Sequence, residues 1–389
     1  MREIYKFTGE VVLPDRLSDA PVLVEDGKIL DAAFSGELPS DIRVTEVTGA
    51  RILPGFIDLH VHGGGGCDLM DDTPDAIRNV VRTHCAHGTT AMLPTTMSSP
   101  APLLYRFFER FRNMLTEDCG AELLGVHMEG PYLSLKKCGA QPPWVIREPN
   151  PAETSELLER GGDLLKYMSL APEINGAREL TETLRRRGIL VGCVHSDAEF
   201  ADITAAREWG VSHIAHFYNS STMYGKRGQR VCGGIVEAGF FYDDITIELI
   251  GDGRHIPSEL MRLCVKLKGS DHVVLITDAI RAAGTDAAES FLGSLSEPHP
   301  IIIEDGVAKL PDRSFFAGSI ATADRLWKTA VGYGIPLTDV CRMMSDTPAA
   351  ILGISDRKGG ISKGHDADLV VTDRDFNVQA VYVKGVRKY

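Results

Sequence analysis

The chain lacks several features that would have directed a reading elsewhere. Its eight cysteines are scattered and include no Cys-x-x-Cys pair, and at 389 residues it is too large to need a disulfide framework. They are expected to be reduced. No apolar run approaches the ~18 residues of a membrane span, and the opening MREIYKFTGE has charges where a secretory signal would have its apolar stretch. A cytoplasmic protein is expected. Blocks of Lys or Arg are also missing, and 54 acidic against 41 basic residues leave a formal charge of −13. Neither nucleic acid nor a membrane surface is an expected partner, because both need a positive footprint. An anionic substrate must be met by a local cluster.

What is present is 43% hydrophobic and 24% charged, enough for a sizeable core. At roughly 150 residues per domain the length suits two or three domains, or one α/β barrel with an appendage. Residues 1–50 alternate short β-rich runs (EVVLP, APVLVEDGKIL, RVTEV) with turn residues such as Asp26-Gly27, which predicts hairpins. The closing HDADLVVTDRDFNVQAVYVKGVRKY alternates in the same way. Both ends are expected to form one small β-sandwich domain, residues 1–53 with 358–389. Between them, over 54–357, apolar runs alternate with amphipathic stretches at helical spacing, such as PAPLLYRFFERFRNML, predicting a parallel sheet. Eight candidate strands (IDLHVH, TTAMLPTT, AELLGVHMEG, KYMSLAPE, ILVGCVHS, HIAHFYNS, DITIELIGDG, HVVLITDAI) point to an α/β fold, a (β/α)8 TIM-type barrel. Helices after Ser319 and Pro336 complete the ring. Such barrels carry their active sites at the C-terminal strand ends.

Polar residues collect at those ends. His60 and His62 are two apart on the first strand and project from one face, so both can reach one ion. The glycine run that follows is expected to let the backbone pass close to a ligand. Glu129 closes the third strand, with His127 two residues earlier; a carboxylate after an apolar run is costly unless paired or metal-bound. His195 closes the fifth strand, His216 the sixth and Asp278 the eighth. The six suit a borderline divalent metal held by imidazole and carboxylate, with positions left for water and substrate. Such a metal lowers the pKa of water to about 7 and polarises a carbonyl oxygen, the two requirements of amide hydrolysis. Asp278 can take the proton from the attacking water and pass it to the departing amine.

This order of ligands resembles the amidohydrolases. More narrowly, PGFIDLHVHGGGG, HMEGPYLS, GAQPP, SLAPE, CVHSDA, AHFYN, DGRH and LITDA resemble the N-acetylglucosamine-6-phosphate deacetylase family over nearly the whole chain. The resemblance implies that Glu129, His195 and His216 hold one metal. His60 and His62 would hold a second, with Glu129 bridging and Asp278 close by as general base and acid. One or two ions per subunit are expected, zinc first, with iron or another divalent ion also suited. Asn219, Arg227 and His255 match positions that hold the substrate phosphate and sugar, the last two across a homodimer interface, and Gln141 matches a sugar contact. The implied reaction removes the N-acetyl group of N-acetylglucosamine 6-phosphate, giving glucosamine 6-phosphate and acetate.

The chain departs from that pattern after the sixth strand, where Asn219-Ser220-Ser221 and TMYGKRGQR replace the usual residues and bring Lys226, Arg227 and Arg230; Arg254 precedes His255. Ser220 joins the expected substrate-binding set. These cations suit a phosphate or another anion. N-acetylgalactosamine 6-phosphate, an N-acyl amino acid or a hydantoin-like ring are therefore rival substrates, and a silent sugar-phosphate-binding barrel is the rival outside enzymes. Ser319 either lines the acyl pocket or caps the next helix. Glu173 either supports the site from behind or forms a salt bridge. His84, His87, His213, His272, His299 and His365 have no partner pattern, and Cys67 and Cys193 are expected to pack as small apolar groups.

Overall fold

The computed structural model describes residues 3–389, with the side chains of Pro74 and Arg227 outside the description. All eight expected barrel strands are present, first to eighth in chain order: Phe56–Val61, Thr89–Thr96, Val126–Glu129, Leu165–Leu170, Leu190–Cys193, His213–Ile214, Thr246–Ile250 and Val273–Ile276. Each pairs in parallel with the next in sequence. The eighth returns to the first through a parallel bridge between Val61 and Ala279 and a hydrogen bond from Asp278 N–H to the His60 carbonyl, 2.9 Å. This closure brings the ends of the first and eighth strands side by side. Both faces of the strands are buried, one by the interior and one by helices, so they read as continuous apolar runs.

The helices follow their apolar spacing. Helix Ala101–Met114 buries Leu104, Phe107, Phe108 and Phe111, an i, i+3, i+4, i+7 stripe. Each such side chain contributes on the order of 1.5–3 kcal/mol on burial. Helix Pro74–Ala86 starts at Thr73, whose side chain accepts from the Ala76 N–H. Helices Ala323–Gly332 and Leu337–Cys341 follow Ser319 and Pro336.

Strands from both ends of the chain share one sheet of eight. Strand Arg43–Pro54 is its centre, parallel to Glu3–Val12 on one side and antiparallel to Leu369–Thr372 on the other. Phe7 and Tyr382 stand on strands three steps apart, roughly 14 Å in a flat sheet. Their rings nevertheless meet edge to face at 4.9 Å, so the sheet curls over on itself. The Asp26-Gly27 hairpin forms as expected, with φ of 49° and 77°. A second Asp-Gly hairpin, Asp305-Gly306, belongs to a three-stranded insertion (Glu289–Leu292, His299–Glu304, Val307–Lys309) that is not among the strands expected from the sequence. It follows the eighth barrel strand and reaches the mouth of the barrel.

Candidate metal centre

The six expected donors meet at one rim. His60, His62 and Asp278 form one group and Glu129, His195 and His216 another, with the ligand atoms of each within 4.8 Å of one another. Glu129 joins the groups. Its Oε1 is 3.2 Å from His216 Nε2, 3.4 Å from His195 Nε2 and 3.5 Å from His60 Nε2, while its Oε2 is 3.5 Å from His62 Nε2. Asp278 Oδ1 is 3.3 Å from His62 Nε2 and 3.6 Å from His60 Nε2.

Local backbone geometry aims these side chains. His195, His216 and Asp278 have φ of 44°, 26° and 45°, left-handed values that cost non-glycine residues of order 1–3 kcal/mol each. Each lies just past the end of its strand, where the reversal turns the side chain into the mouth of the barrel. Gly139 (φ 56°) passes so near His195 that a Cβ would come within 3.3 Å of its ring and 2.9 Å of Ser220 Oγ. Glu173 holds the loop after His195 by accepting from Ser196 Oγ and Asp197 N–H, both at 2.6 Å.

The hydrogen bonds around the donors test whether a cation suits them. His195 Nδ1 is 2.8 Å from the Lys137 carbonyl and His216 Nδ1 3.2 Å from the Asn219 carbonyl. A carbonyl only accepts, so both rings carry a proton on Nδ1, and in the neutral ring the Nε2 lone pair is directed at Glu129. Lone pairs facing a carboxylate repel unless a cation lies between them. Ligands about 2.1 Å from a shared tetrahedral ion stand about 3.4 Å apart, which matches the observed spacings. The donors therefore fit a divalent metal. At His60, burial disfavours charge, but the Glu129, Glu248 and Asp278 carboxylates override it and push the imidazole up to about 10. The cluster attracts positive charge, as proton or metal. For Asp278, burial opposes ionisation, but the His62 hydrogen bond and the His60 and His62 charges hold its carboxyl below the usual range.

Above the donors opens a cavity of about 380 Å³, within the range of small-molecule sites. Gln141, Asn219, Ser220 and His255, all residues expected from the sequence to meet substrate, line it. Gln141 accepts from Ser98 N–H at 3.0 Å and donates from Nε2 to Glu129 Oε2 at 2.5 Å, so it also fixes a candidate ligand. His255 is held by Asp252 at 2.9 Å. Ser319 is not brought to the cavity: it donates to the Thr277 carbonyl at 2.6 Å and accepts from Ala321 N–H at 3.1 Å. The helix beyond it has Thr322 as N-cap. Arg227 lies on the hairpin Gly225–Arg227/Arg230–Cys232, its side chain outside the description.

The glycine run does not line the cavity. Gly65 and Gly66 bond to the Ala283 and Arg281 carbonyls, and a Cβ on Gly63 would meet Arg281 N at 2.6 Å. Its small residues serve close packing of two loops. Arg313, Phe315 and Phe316 of the insertion line the cavity and were not anticipated; the III-EDG-VAKL alternation was the available signal. His213, expected to be without a partner, is 2.9 Å from Glu248. Cys67 and Cys193 make no contact with the donors among the described interactions, and Cys193 is buried.

The amidohydrolase family model matches residues 51–388. The chain is 31% identical to the N-acetylgalactosamine-6-phosphate deacetylase of Escherichia coli O157:H7, over 92% of this chain and 93% of that protein. It is 32% identical to the N-acetylglucosamine-6-phosphate deacetylase of Bacillus subtilis (strain 168), over 93% and 91%. The solved N-acetylglucosamine-6-phosphate deacetylase of Thermotoga maritima superposes with a TM-score of 0.84 at 32% identity, over 98% of each chain. A mutant of the Mycobacterium smegmatis enzyme, in complex with N-acetyl-D-glucosamine-6-phosphate, superposes with a TM-score of 0.90 at 28% identity, over 100% of this chain and 99% of that one.

Proposed function

The chain belongs to the amidohydrolase family, and from that premise we propose that it hydrolyses the acetamide of N-acetylglucosamine 6-phosphate to glucosamine 6-phosphate and acetate. The observation that carries this reading is the convergence of six imidazole and carboxylate donors beside a small-molecule cavity. Glu129, His195 and His216 would hold one ion and His60 and His62 a second; zinc suits the nitrogen and oxygen donors, and iron is the next choice. Such an ion supplies Lewis acidity and lowers the pKa of water.

The chain's own residues do the rest. Asp278 is ionised at neutral pH and accepts the proton of the attacking water as the C–O bond forms. It then gives that proton to nitrogen as the C–N bond breaks, so the amine leaves neutral. Asn219, Ser220, His255 and Arg227 are assigned to the phosphate and sugar, with Arg227 and His255 working across a homodimer interface. Exposed Met223, Tyr224 and Val231 on and beside the Arg227 hairpin support an interface there.

We also divide the chain into a terminal β domain, 1–53 with 358–389, and a catalytic barrel, 54–357; separate buried clusters around Phe7 and around the barrel helices support the division. No helix among the described residues is long and apolar enough to cross a membrane, and eight free cysteines suit the reducing cytoplasm we assign.

The galactosamine epimer is the second reading, favoured by the Escherichia coli relative of similar identity. Acetate release from N-acetylglucosamine 6-phosphate, its galactosamine epimer and the unphosphorylated sugar decides among these. Efficient turnover of the first alone is the expected result. Preference for the epimer would replace the substrate, and no acetate from any, in metal-loaded protein, would remove the deacetylase reading.

A further inference from the structure

Inside the barrel, behind His60, lie two buried polar groups to which the hydrolysis above assigns no task. Glu248 of the seventh barrel strand and His213 of the sixth are, like His60 of the first, fully buried. Glu248 Oε1 is 2.9 Å from His213 Nε2, and Oε2 is 3.0 Å from His60 Nδ1. The other nitrogen of His213 is 2.5 Å from Thr246 Oγ1. A carboxylate accepts and does not donate, so a hydrogen toward Glu248 sits on His60 Nδ1, and when the ring exchanges its second proton for a metal it is Nε2 whose lone pair faces the donor cluster. His213, bonded at both nitrogens, fixes the other oxygen of Glu248.

The other candidate imidazoles are backed differently. His195 and His216 lean on neutral carbonyls, and His62 Nδ1 has no hydrogen-bond partner among the described residues. A carboxylate behind an imidazole raises its strength as a metal ligand. The two halves of the centre are therefore unequal in construction.

We propose that Glu248 is a positioning residue: by holding His60 in its Nδ1–H form it enables the His60, His62 and Asp278 half to bind an ion, while on the Glu129, His195 and His216 half it touches only the His216 backbone N–H, at 3.3 Å, which the amide oxygen of a glutamine can also accept. This rests on the reading of His60 as a ligand. The placement argues against a purely structural role. Glu248 is paired with no Lys or Arg among the described residues, its partners being His60, His213 and the His216 N–H. Burying a carboxylate in this way costs several kcal/mol that an apolar residue would avoid. Its strand neighbours Ile247, Leu249 and Ile250 are buried apolar residues, which is what stability alone would select.

Glu248→Gln keeps the volume and a hydrogen-bonding group toward each histidine but removes the charge. Metal-free wild type, Glu248→Gln and His60→Asn are titrated with Zn2+ against a chromophoric chelator, and bound zinc is counted by emission spectroscopy. The expected wild type holds two ions per chain. Glu248→Gln should keep one at unchanged affinity and bind the other about 10–100-fold more weakly, and His60→Asn should lose that second ion. Two ions at wild-type affinity in Glu248→Gln, or equal weakening of both, would overturn the proposal. A wild type with a single ion, or a second ion indifferent to His60→Asn, would instead overturn the reading of His60 and take the proposal with it. If Glu248→Gln does not fold, 15N–1H correlation spectra of histidine-labelled, zinc-loaded wild type replace it: protonated Nδ1 on His60 is expected, and protonated Nε2 overturns the proposal.

Discussion

At the scale of single residues, the site separates groups that do chemistry from groups that hold them. The proposed mechanism places Asp278 in the first kind: its carboxylate faces His62 and the cavity. Asp278→Asn keeps the size and loses the proton carrier, so turnover should fall about 10²–10⁴-fold while zinc at the Glu129, His195 and His216 donors is retained. Near wild-type acetate release would remove the acid–base role. Gln141 belongs to both kinds, since it lines the cavity and joins Ser98 N–H to Glu129. Gln141→Leu leaves a buried N–H without an acceptor, which costs about 1–3 kcal/mol and should be visible in urea unfolding of the metal-free protein. A variant as stable as wild type would mean that water replaces the amide. The six candidate donors are legible in the sequence because five end an apolar run and His60 stands two residues before such an end, where a charged or imidazole group is costly unless it binds a partner. Glu248 is harder to see because it stands inside the run TIELI. A carboxylate in the middle of a buried strand was itself a signal, since it must be paired to be tolerated.

At the scale of elements, the strands supply position and the segments after them supply direction. The order of the eight strands followed from apolar runs alternating with helical spacing. The left-handed turns at His195, His216 and Asp278 did not, because no glycine marks them: the strain is carried by the functional residues themselves. Helix Pro151–Gly161 shows how an element remote from the chemistry steadies it. Its N-cap Asn150 accepts from Ala152 and Glu153 N–H, and Glu153 in its first turn bonds Arg147 and Tyr132 Oη in the segment that follows the Glu129 strand. Asn150→Ala should lower stability by about 1 kcal/mol with little effect on turnover. A large fall in kcat would instead tie this helix directly to the alignment of Glu129. The insertion carrying Arg313 and Phe316 is absent from the strands expected of the sequence, although its Asp305-Gly306 turn repeats the signal at Asp26-Gly27. A hairpin is local and legible, but its docking over the cavity depends on tertiary contacts that no local pattern encodes.

At the scale of the whole molecule, the barrel and the terminal sheet are joined by a cluster of charges. Lys358 is almost wholly buried, with Nζ 2.5 Å from Asp368, 2.8 Å from Glu122 and 3.2 Å from Asp366. Arg357 adds 3.0 Å contacts to Glu122 and Asp366. Glu122 leads into the third barrel strand and Asp366 and Asp368 into strand Leu369–Thr372, so the cluster spans both parts of the chain. Burial alone would raise the Glu122 pKa, but the Arg357 and Lys358 contacts override it and hold the carboxyl down at about 2 against an ordinary 4.5. A carboxyl depressed in the folded state stabilises fully above its unfolded value and loses that contribution as pH falls through its folded one. The Glu122 contribution is thus complete above about pH 4.5 and is lost on the way to pH 2. Asp368 works in the opposite sense, since burial raises it, and so takes up its proton early in the same descent. Acid unfolding should therefore steepen between pH 4.5 and 2, and Glu122→Gln should flatten that limb when stability is followed by denaturant titration at stepped pH. An unchanged limb would mean that the pairs are replaced by water in solution. Lys358→Met is the sharper test, because removing one member of a buried cluster strands the charges left behind. It should cost about 3–5 kcal/mol at neutral pH, and part of that loss should be regained in acid, where the three carboxyls become neutral and no longer need the lysine.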